Sequence, residues 1–353
     1  MSMISKPRVV QKVHDYVRKV RKNGNKVGKI PRSLTINYNN LCNFKCDFCY
    51  STEASHEHAK MHLDDDTIKR VADEADSIGI WELVLLGGEL LINISLFMHL
   101  LELLGTDRFQ IVLITNGYYL TSDVANNLSE AGVDCIGVSI SSLNEQEHNS
   151  SRGGIKDAHK KALAALDNAA AAGMNAWPNV IFGHHNSHSD ELYEFMDYLK
   201  QKQYTTYLIM AMPFGSWKDN RMDSEDLKIL GEFRKKYDCC FDTWDMYDNK
   251  KERISGCWTV NRTYLTPLGD VLVCPYMNIK IGNVKEQSLK DILDFGFSIK
   301  YFGNYSPVCI SAFNSSFRDK YLNKEADLFS PLEAKEIFGK DDYIVDDNSN
   351  LNP

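Results

Sequence analysis

The 353-residue sequence has no long apolar run. Its richest apolar stretch, residues 80–105, is broken by Glu82, Glu89, Asn93, His99 and Glu102. It never reaches the roughly 18 uninterrupted residues that a membrane-spanning helix needs. The N-terminus, MSMISKPRVVQK, lacks the apolar centre of a signal peptide, so a cytoplasmic protein with no membrane partner is expected. There is no low-complexity tract and no internal repeat beyond strand–helix units. With 43% hydrophobic and 25% charged residues, a mainly disordered chain is excluded. An even, disulfide-type cysteine set is also missing. The nine cysteines sit in a chain expected where thiols stay reduced, so they need another purpose.

Positive charge is scarce overall, with 40 Lys+Arg against 48 Asp+Glu, but it is concentrated. Residues 1–32 hold ten Lys/Arg and one acid, a surplus of nine, which leaves −17 on the remainder of a chain whose formal total is −8. This segment reads as a basic helix that packs across the body or meets an anionic partner. Sparse aromatic interleaving and the acidic whole argue against nucleic acid.

From residue 33 to 238 strand-like and helix-like segments alternate. Strands are expected at 33–38, 83–86, 109–115, 135–140, 175–182 and 206–212. Helices are expected at 64–78, 95–104, 121–131, 155–171, 189–201 and 224–236. Ile68, Val71, Ala72 and Ala75 form one apolar face of the first of these helices, and Thr121 caps the third. Near-continuous apolar strands separated by helices predict an α/β fold with a parallel sheet, a partial (β/α)6 TIM-like barrel whose strand C-termini form the working face. Residues 239–320 lose this rhythm, hold five of the nine cysteines and read as a small second domain, followed by an acidic tail over 321–353.

The strongest motif is Cys42-Asn43-Phe44-Lys45-Cys46-Asp47-Phe48-Cys49, directly after the first strand. Three thiolates at CX3CX2C spacing can hold three corners of an iron–sulfur cubane and leave one iron open. A zinc site completed by His56, His58 or His62 is the competing reading, although zinc usually takes paired CX2C ligands. Gly87-Gly88-Glu89 ends the second strand, Thr115-Asn116-Gly117 the third, and Ser139 lies near the end of the fourth, ahead of His148, Asn149 and Arg152. Each is weak alone; their order along the chain is specific.

On these residues the chain resembles the radical SAM superfamily over roughly residues 34–310. The resemblance implies that Cys42, Cys46 and Cys49 carry a catalytic [4Fe–4S] cluster whose open iron binds S-adenosylmethionine. It implies that Gly87, Gly88 and Glu89 hold the methionine amino group, with Leu90 where the family has proline. It assigns Phe48 and Tyr50 of the cluster loop, Asn116, Ser139, Arg152 and Ile181 to cofactor binding. Arg152 stands near the methionine carboxylate, and Asn116 and the Val180–Ile181 strand match ribose and adenine contacts. Ser141 replaces an aspartate common in the family. The implied chemistry is reductive cleavage to a 5′-deoxyadenosyl radical that abstracts hydrogen, fed by a flavodoxin- or ferredoxin-type electron donor.

Cys257 and Cys274 bracket Gly269 as CX11GX4C, and Ile281-Gly282-Asn283-Val284 follows. This resembles a SPASM or twitch extension and implies a probable auxiliary [4Fe–4S] cluster on Cys257, Cys274 and Cys309. A later dense cysteine run is missing, so one auxiliary cluster is expected. Its fourth ligand stays open among Cys239, Cys240, another group or substrate. Cys135, inside a strand, belongs to the core. His184 and His185 after the fifth strand, and Trp217, Lys218 and Asp219 after the sixth, are loop-surface residues or substrate contacts. The expected substrate is a small-molecule or cell-envelope precursor, because 32 residues are short for a leader-binding domain. A ribosomal-peptide maturase is the alternative, and an iron–sulfur sensor or scaffold the non-enzyme one.

Overall fold

A computed structural model describes residues 5–49, 59–211, 222–237, 239–240, 256–322 and 329–344. In chain order its elements begin α1 (Pro7–Lys22), β1 (Ser33–Asn37), α2 (Asp65–Ser77), β2 (Glu82–Leu86), α3 (Ile94–Leu104), β3 (Gln110–Thr115), α4 (Ser122–Glu130) and β4 (Cys135–Ser139). There follow α5 (Glu145–Ser151), α6 (Ala158–Ala171), β5 (Asn175–Phe182), α7 (Asp190–Gln201), β6 (Thr206–Met210), α8 (Ser224–Lys236) and β7 (Cys239–Cys240). The last part holds β8 (Arg262–Leu265), β9 (Asp270–Cys274), β10 (Met277–Asn283), α9 (Leu289–Ser298), α10 (Lys300–Gly303), α11 (Ile310–Phe313), α12 (Ser315–Tyr321), β11 (Leu332–Glu333) and α13 (Ala334–Ile337).

The chain divides into two compact units, one made of residues 1–10, 36–62 and 82–253, the other of 11–35, 63–81 and 254–353. In the first unit β2 to β7 lie side by side in sequence order, and each pair from β2/β3 to β6/β7 is parallel. Parallel neighbours in sequence order, joined through helices, are the β–α–β arrangement from which part of a barrel wall is built. Val84, Val112, Cys135, Trp177 and Tyr207, one from each of β2 to β6, pack into a common core. Cys135 is therefore a core thiol, 1% exposed, and Gln110 donates to its sulfur at 3.2 Å.

Local signals explain most boundaries. Asp64 accepts the Thr67 amide at 2.8 Å and starts α2, whose buried face is Ile68, Val71, Ala72 and Ala75. Thr121 caps α4. The helix expected from residue 155 starts later, at Ala158, because Asp157 takes a left-handed φ of 62°. In the first unit the sequence does not show the seven-residue α5, whose N-cap Asn144 accepts from the amides of Gln146 and Glu147, or the two-residue β7. Lys6 anchors the N-terminus of this unit, donating to Phe109 O, Gly132 O and, at 2.6 Å, Asp134 Oδ2. Lys6→Met keeps the aliphatic stem and removes these bonds. It is expected to lower stability by about 2–3 kcal/mol in urea unfolding, the scale of hydrogen bonds to a charged group.

In the second unit β8, β9 and β10 form an antiparallel meander with β11 added in parallel. The β8–β9 turn closes at Gly269, whose φ of +95° suits glycine. Arg32 is fully buried and stacked between two indoles, 5.8 Å from the Trp81 ring and 4.2 Å from that of Trp258. Tyr301, Phe302, Phe317, Tyr321 and Phe338 make an aromatic cluster with centroid separations from 4.8 Å.

Candidate functional site

The site of the first unit is built at the C-terminal ends of β1 to β5, where successive turns meet. The Gly87-Gly88-Glu89 turn lies against the chain that leads into the cysteine loop. Gly88 N–H donates to Asn39 O at 2.8 Å, and Glu89 N–H donates to Leu41 O at 2.7 Å. The approach is so close that a Cβ on Gly87 would fall 2.2 Å from Asn39 O, and one on Gly88 2.2 Å from Leu41 O. Two glycines are thus the condition for placing Cys42 one residue later.

Glu89 is 2% exposed, and its carboxylate accepts from Thr115 Oγ1 at 2.9 Å, Asn116 N at 2.7 Å and Leu91 N at 3.1 Å. Burial pushes its pKa up while these donors pull it down. The carboxylate therefore ties the end of β2 to the end of β3. Asn116 in turn donates from Nδ2 to Asn43 Oδ1 at 2.9 Å, inside the cysteine loop. Asn43 did not stand out in the sequence because its partner is 73 residues away.

The other side of the loop rests on α5 and its C-terminal turn. Asp47 N–H donates to Ser151 O at 3.2 Å, and a Cβ on Gly153 would meet Lys45 O at 2.8 Å. Arg152, 5% exposed, donates from Nε to Ser141 Oγ at 3.0 Å and reaches Cys46 Sγ from Nη1 at 3.9 Å. Its guanidinium lies 4.8 Å from the Phe48 ring centroid. His148 is fully buried, and its Nδ1 accepts the Ser141 N–H at 3.1 Å. Burial, then the charges of Arg152 and His159, push its pKa down to about 3, so it is a neutral acceptor.

Cys42, Cys46 and Cys49 face this surround, and none of them is in a disulfide. Burial raises the Cys46 pKa, opposed by Arg152. Among the described residues Arg152 has no carboxylate partner, so a buried cation looks onto the thiols and calls for anionic charge there. Nor do the three sulfurs lie within 4.8 Å of one another, as they would around one ion. His62 sets its ring against Tyr38 at 5.0 Å. Among the described residues the donor set thus fits a cubane, with one thiolate per iron, better than a mononuclear zinc centre; His56 and His58 lie outside them.

Beside Phe48 opens a cavity of about 330 Å³ lined by Ser141, Glu147, Ile181, His185, Asn186 and Glu191 among others. The structure therefore brings Phe48, Ile181 and the Ser141–Arg152 pair together, and places Ser139 at the end of β4 opposite Asn179 of β5. Tyr50, Trp217, Lys218 and Asp219 lie outside the described residues. His184 turns to the buried Asp226 at 2.9 Å, which raises its pKa, while His185 lines the cavity.

In the second unit Cys257, Cys274 and Cys309 converge. The Cys257 and Cys309 thiols hydrogen-bond each other, and Cys257 also meets Thr259 Oγ1 at 2.8 Å. The bond from Cys309 holds Cys257 down to about 6, and burial pushes Cys274 up to about 12. The β8–β9 hairpin brings Cys274 back toward Cys257, as the CX11GX4C spacing predicts, with Val260 N–H donating to Val273 O at 2.7 Å. Three converging thiols can hold a second cluster.

Residues 36–199 match the radical SAM superfamily, and residues 257–309 match the SPASM iron–sulfur cluster-binding domain. A GTP 3′,8-cyclase of Hydrogenovibrio crunogenus is 28% identical over 194 residues, 54% of this chain and 57% of its own length, so the match spans little more than half of that cyclase. An AdoMet-dependent heme synthase of Methanosarcina barkeri is 26% identical over 289 residues, 74% of this chain and 82% of its own. Two solved structures share the fold. AnSMEcpe with bound AdoMet has a TM-score of 0.58 at 18% identity, covering 75% of this chain and 80% of its own. Streptococcus suis SuiB bound to S-adenosylmethionine has a TM-score of 0.55 at 16% identity, covering 80% and 69%.

Proposed function

From the premise that this chain is a radical SAM enzyme carrying a SPASM domain, we propose that it abstracts hydrogen from a small-molecule precursor and uses an auxiliary cluster in the same turnover. The observation that carries this reading is the cysteine loop held between the Gly87-Gly88-Glu89 turn and Arg152. A radical SAM domain implies a [4Fe–4S] cluster and S-adenosylmethionine, which together supply methionine and a 5′-deoxyadenosyl radical when one electron enters. Cys42, Cys46 and Cys49 would hold that cluster. The Arg152 guanidinium would neutralise a carboxylate at the loop. Phe48 and Ile181 offer apolar faces to a nucleoside. Cys257, Cys274 and Cys309 would hold the auxiliary cluster. A flavodoxin- or ferredoxin-type protein is the reductant we propose.

The cavity carries Glu147 and Glu191 and, among the described residues, no Lys or Arg. Its Phe48 and Ile181 faces would take the nucleoside of S-adenosylmethionine, and the two carboxylates would repel a polyphosphate brought beside it, so a neutral or amine-bearing small-molecule substrate is favoured over one such as GTP. A peptide maturase is the second reading, supported by the shared fold of SuiB, solved also with its precursor peptide SuiA.

The test is anaerobic reconstitution with iron and sulfide, reduction by dithionite and assay for 5′-deoxyadenosine. Release of 5′-deoxyadenosine and methionine is expected, and a fully iron-loaded protein that releases neither would overturn the reading. Iron should number about eight per chain and fall to about four in Cys257→Ala/Cys274→Ala, which should still cleave S-adenosylmethionine but form no product. Unchanged iron in that variant would remove the auxiliary cluster.

A further inference from the structure

His148 occupies the junction on which the Arg152 side of the site depends. Its imidazole is completely buried in the middle of α5. Because the Ser141 N–H points at Nδ1, that nitrogen carries a lone pair and the proton sits on Nε2, a tautomer assigned from the hydrogen bond. Among the described residues Nε2 has no hydrogen-bond partner, and the ring packs in a T-shaped pair with His159, centroids 5.4 Å apart. A buried ring kept at the cost of an unmade bond calls for an explanation, and packing alone would be served as well by phenylalanine.

His148 grips both partners of one bond. Through Nδ1 it fixes the backbone of Ser141, whose Oγ receives Arg152 Nε at 3.0 Å. Through its own carbonyl it accepts the Arg152 N–H at 3.2 Å and the Ser151 hydroxyl at 3.1 Å. Arg152 in turn spans the gap from Phe48 to Cys46. Without the Nδ1 acceptor, the Ser141 amide would be left unsatisfied beside the cavity and the loop after β4 would move to find water. The guanidinium would lose the oxygen that orients it.

We propose that His148 is a positioning residue that fixes Ser141, and through it the Arg152 guanidinium, for binding the anionic end of S-adenosylmethionine at the cysteine loop. This rests on the radical SAM reading given above. It is specific to the acceptor nitrogen of the ring, not to the ring's volume.

The test compares His148→Phe with His148→Asn in reconstituted protein. Phenylalanine fills the space without an acceptor, whereas the asparagine carbonyl can take the place of Nδ1. In His148→Phe, iron content is expected to match wild type. The S-adenosylmethionine dissociation constant, from equilibrium dialysis, should rise about tenfold, the loss of one charge-assisted hydrogen bond. The low-temperature electron paramagnetic resonance change on adding S-adenosylmethionine to the reduced cluster should need correspondingly more ligand. The rate at saturation should fall less than the affinity. His148→Asn should recover wild-type affinity to within about threefold. A wild-type dissociation constant in the phenylalanine variant overturns the proposal, and so does an asparagine variant as weak as the phenylalanine one. Should His148→Phe fail to fold, Ser141→Ala breaks the same chain at its next link without disturbing the buried ring. It must show the same weakening, and wild-type affinity there also overturns the proposal. Failure of wild-type protein to cleave S-adenosylmethionine would instead sink the underlying reading.

Discussion

Cys46→Ala is expected to bring 5′-deoxyadenosine production to the detection limit while leaving the protein folded. Its sulfur is the thiol that Arg152 reaches at 3.9 Å, and the loop that carries it is pinned from both sides by backbone bonds that do not involve the side chain. A loop so held survives loss of one thiol, but a cubane with only two protein ligands does not stay seated. Iron should drop from about eight to about four per chain, the auxiliary share being retained. Circular dichroism and the thermal midpoint should stay near wild type. Cys42→Ala and Cys49→Ala should behave alike. Full 5′-deoxyadenosine release by any one of the three would dispose of the cluster assignment.

Gly88→Ala should be nearly as damaging for a purely steric reason. Its new Cβ would sit 2.2 Å from Leu41 O and 2.4 Å from the carbonyl carbon, and both obstacles are backbone. Either the Gly88–Asn39 and Glu89–Leu41 hydrogen bonds break, or the chain entering Cys42 shifts. Overpacking of this kind costs about 1–3 kcal/mol even where flexible side chains yield. Here the carbonyl cannot rotate away without losing its partner. Iron uptake at the radical site and S-adenosylmethionine cleavage should fall together. Gly231→Ala is the control: nothing lies within 4 Å of its Cβ, it lies inside α8, and alanine should leave activity intact and stabilise by up to about 1 kcal/mol. If Gly88→Ala loads iron and turns over as wild type does, the close approach is not what the glycine provides.

The parts of this molecule legible in the sequence are those governed by local chemistry. Strand–helix alternation, the Asp64 and Thr121 caps and the apolar face of α2 follow from spacings of a few residues. So does the Cys257–Cys274 hairpin, since Gly269 marks its turn. What escaped reading lies in contacts between distant segments. That Gly88 must be glycine depends on Leu41, 47 residues earlier in the chain, and the Asn43–Asn116 pair spans 73. Helix α5, with seven residues, is too short to show a helical period, so His148 stood out as a residue without showing its role. Arg152 was found from its place after the fourth strand; that it stacks on Phe48 and binds Ser141 needed the coordinates.

The way the two compact units share the chain has a consequence for biosynthesis. The second unit takes residues 11–35 and 63–81 from early in the chain, but its hairpin, aromatic cluster and three cysteines all come after residue 253. A ribosome adding about 5–20 residues per second therefore releases the early pieces of this unit many seconds before their partners exist. Cys49 has long emerged when Cys309 is made, so the two cysteine sites become competent for iron at different moments. Until then α2 and the strip around Arg32 and Trp81 expose the apolar surfaces they later bury. A nascent chain stalled between residues 153 and 253 would present those surfaces to chaperones with the first cysteine loop and its Arg152 support made and the second cysteine set absent.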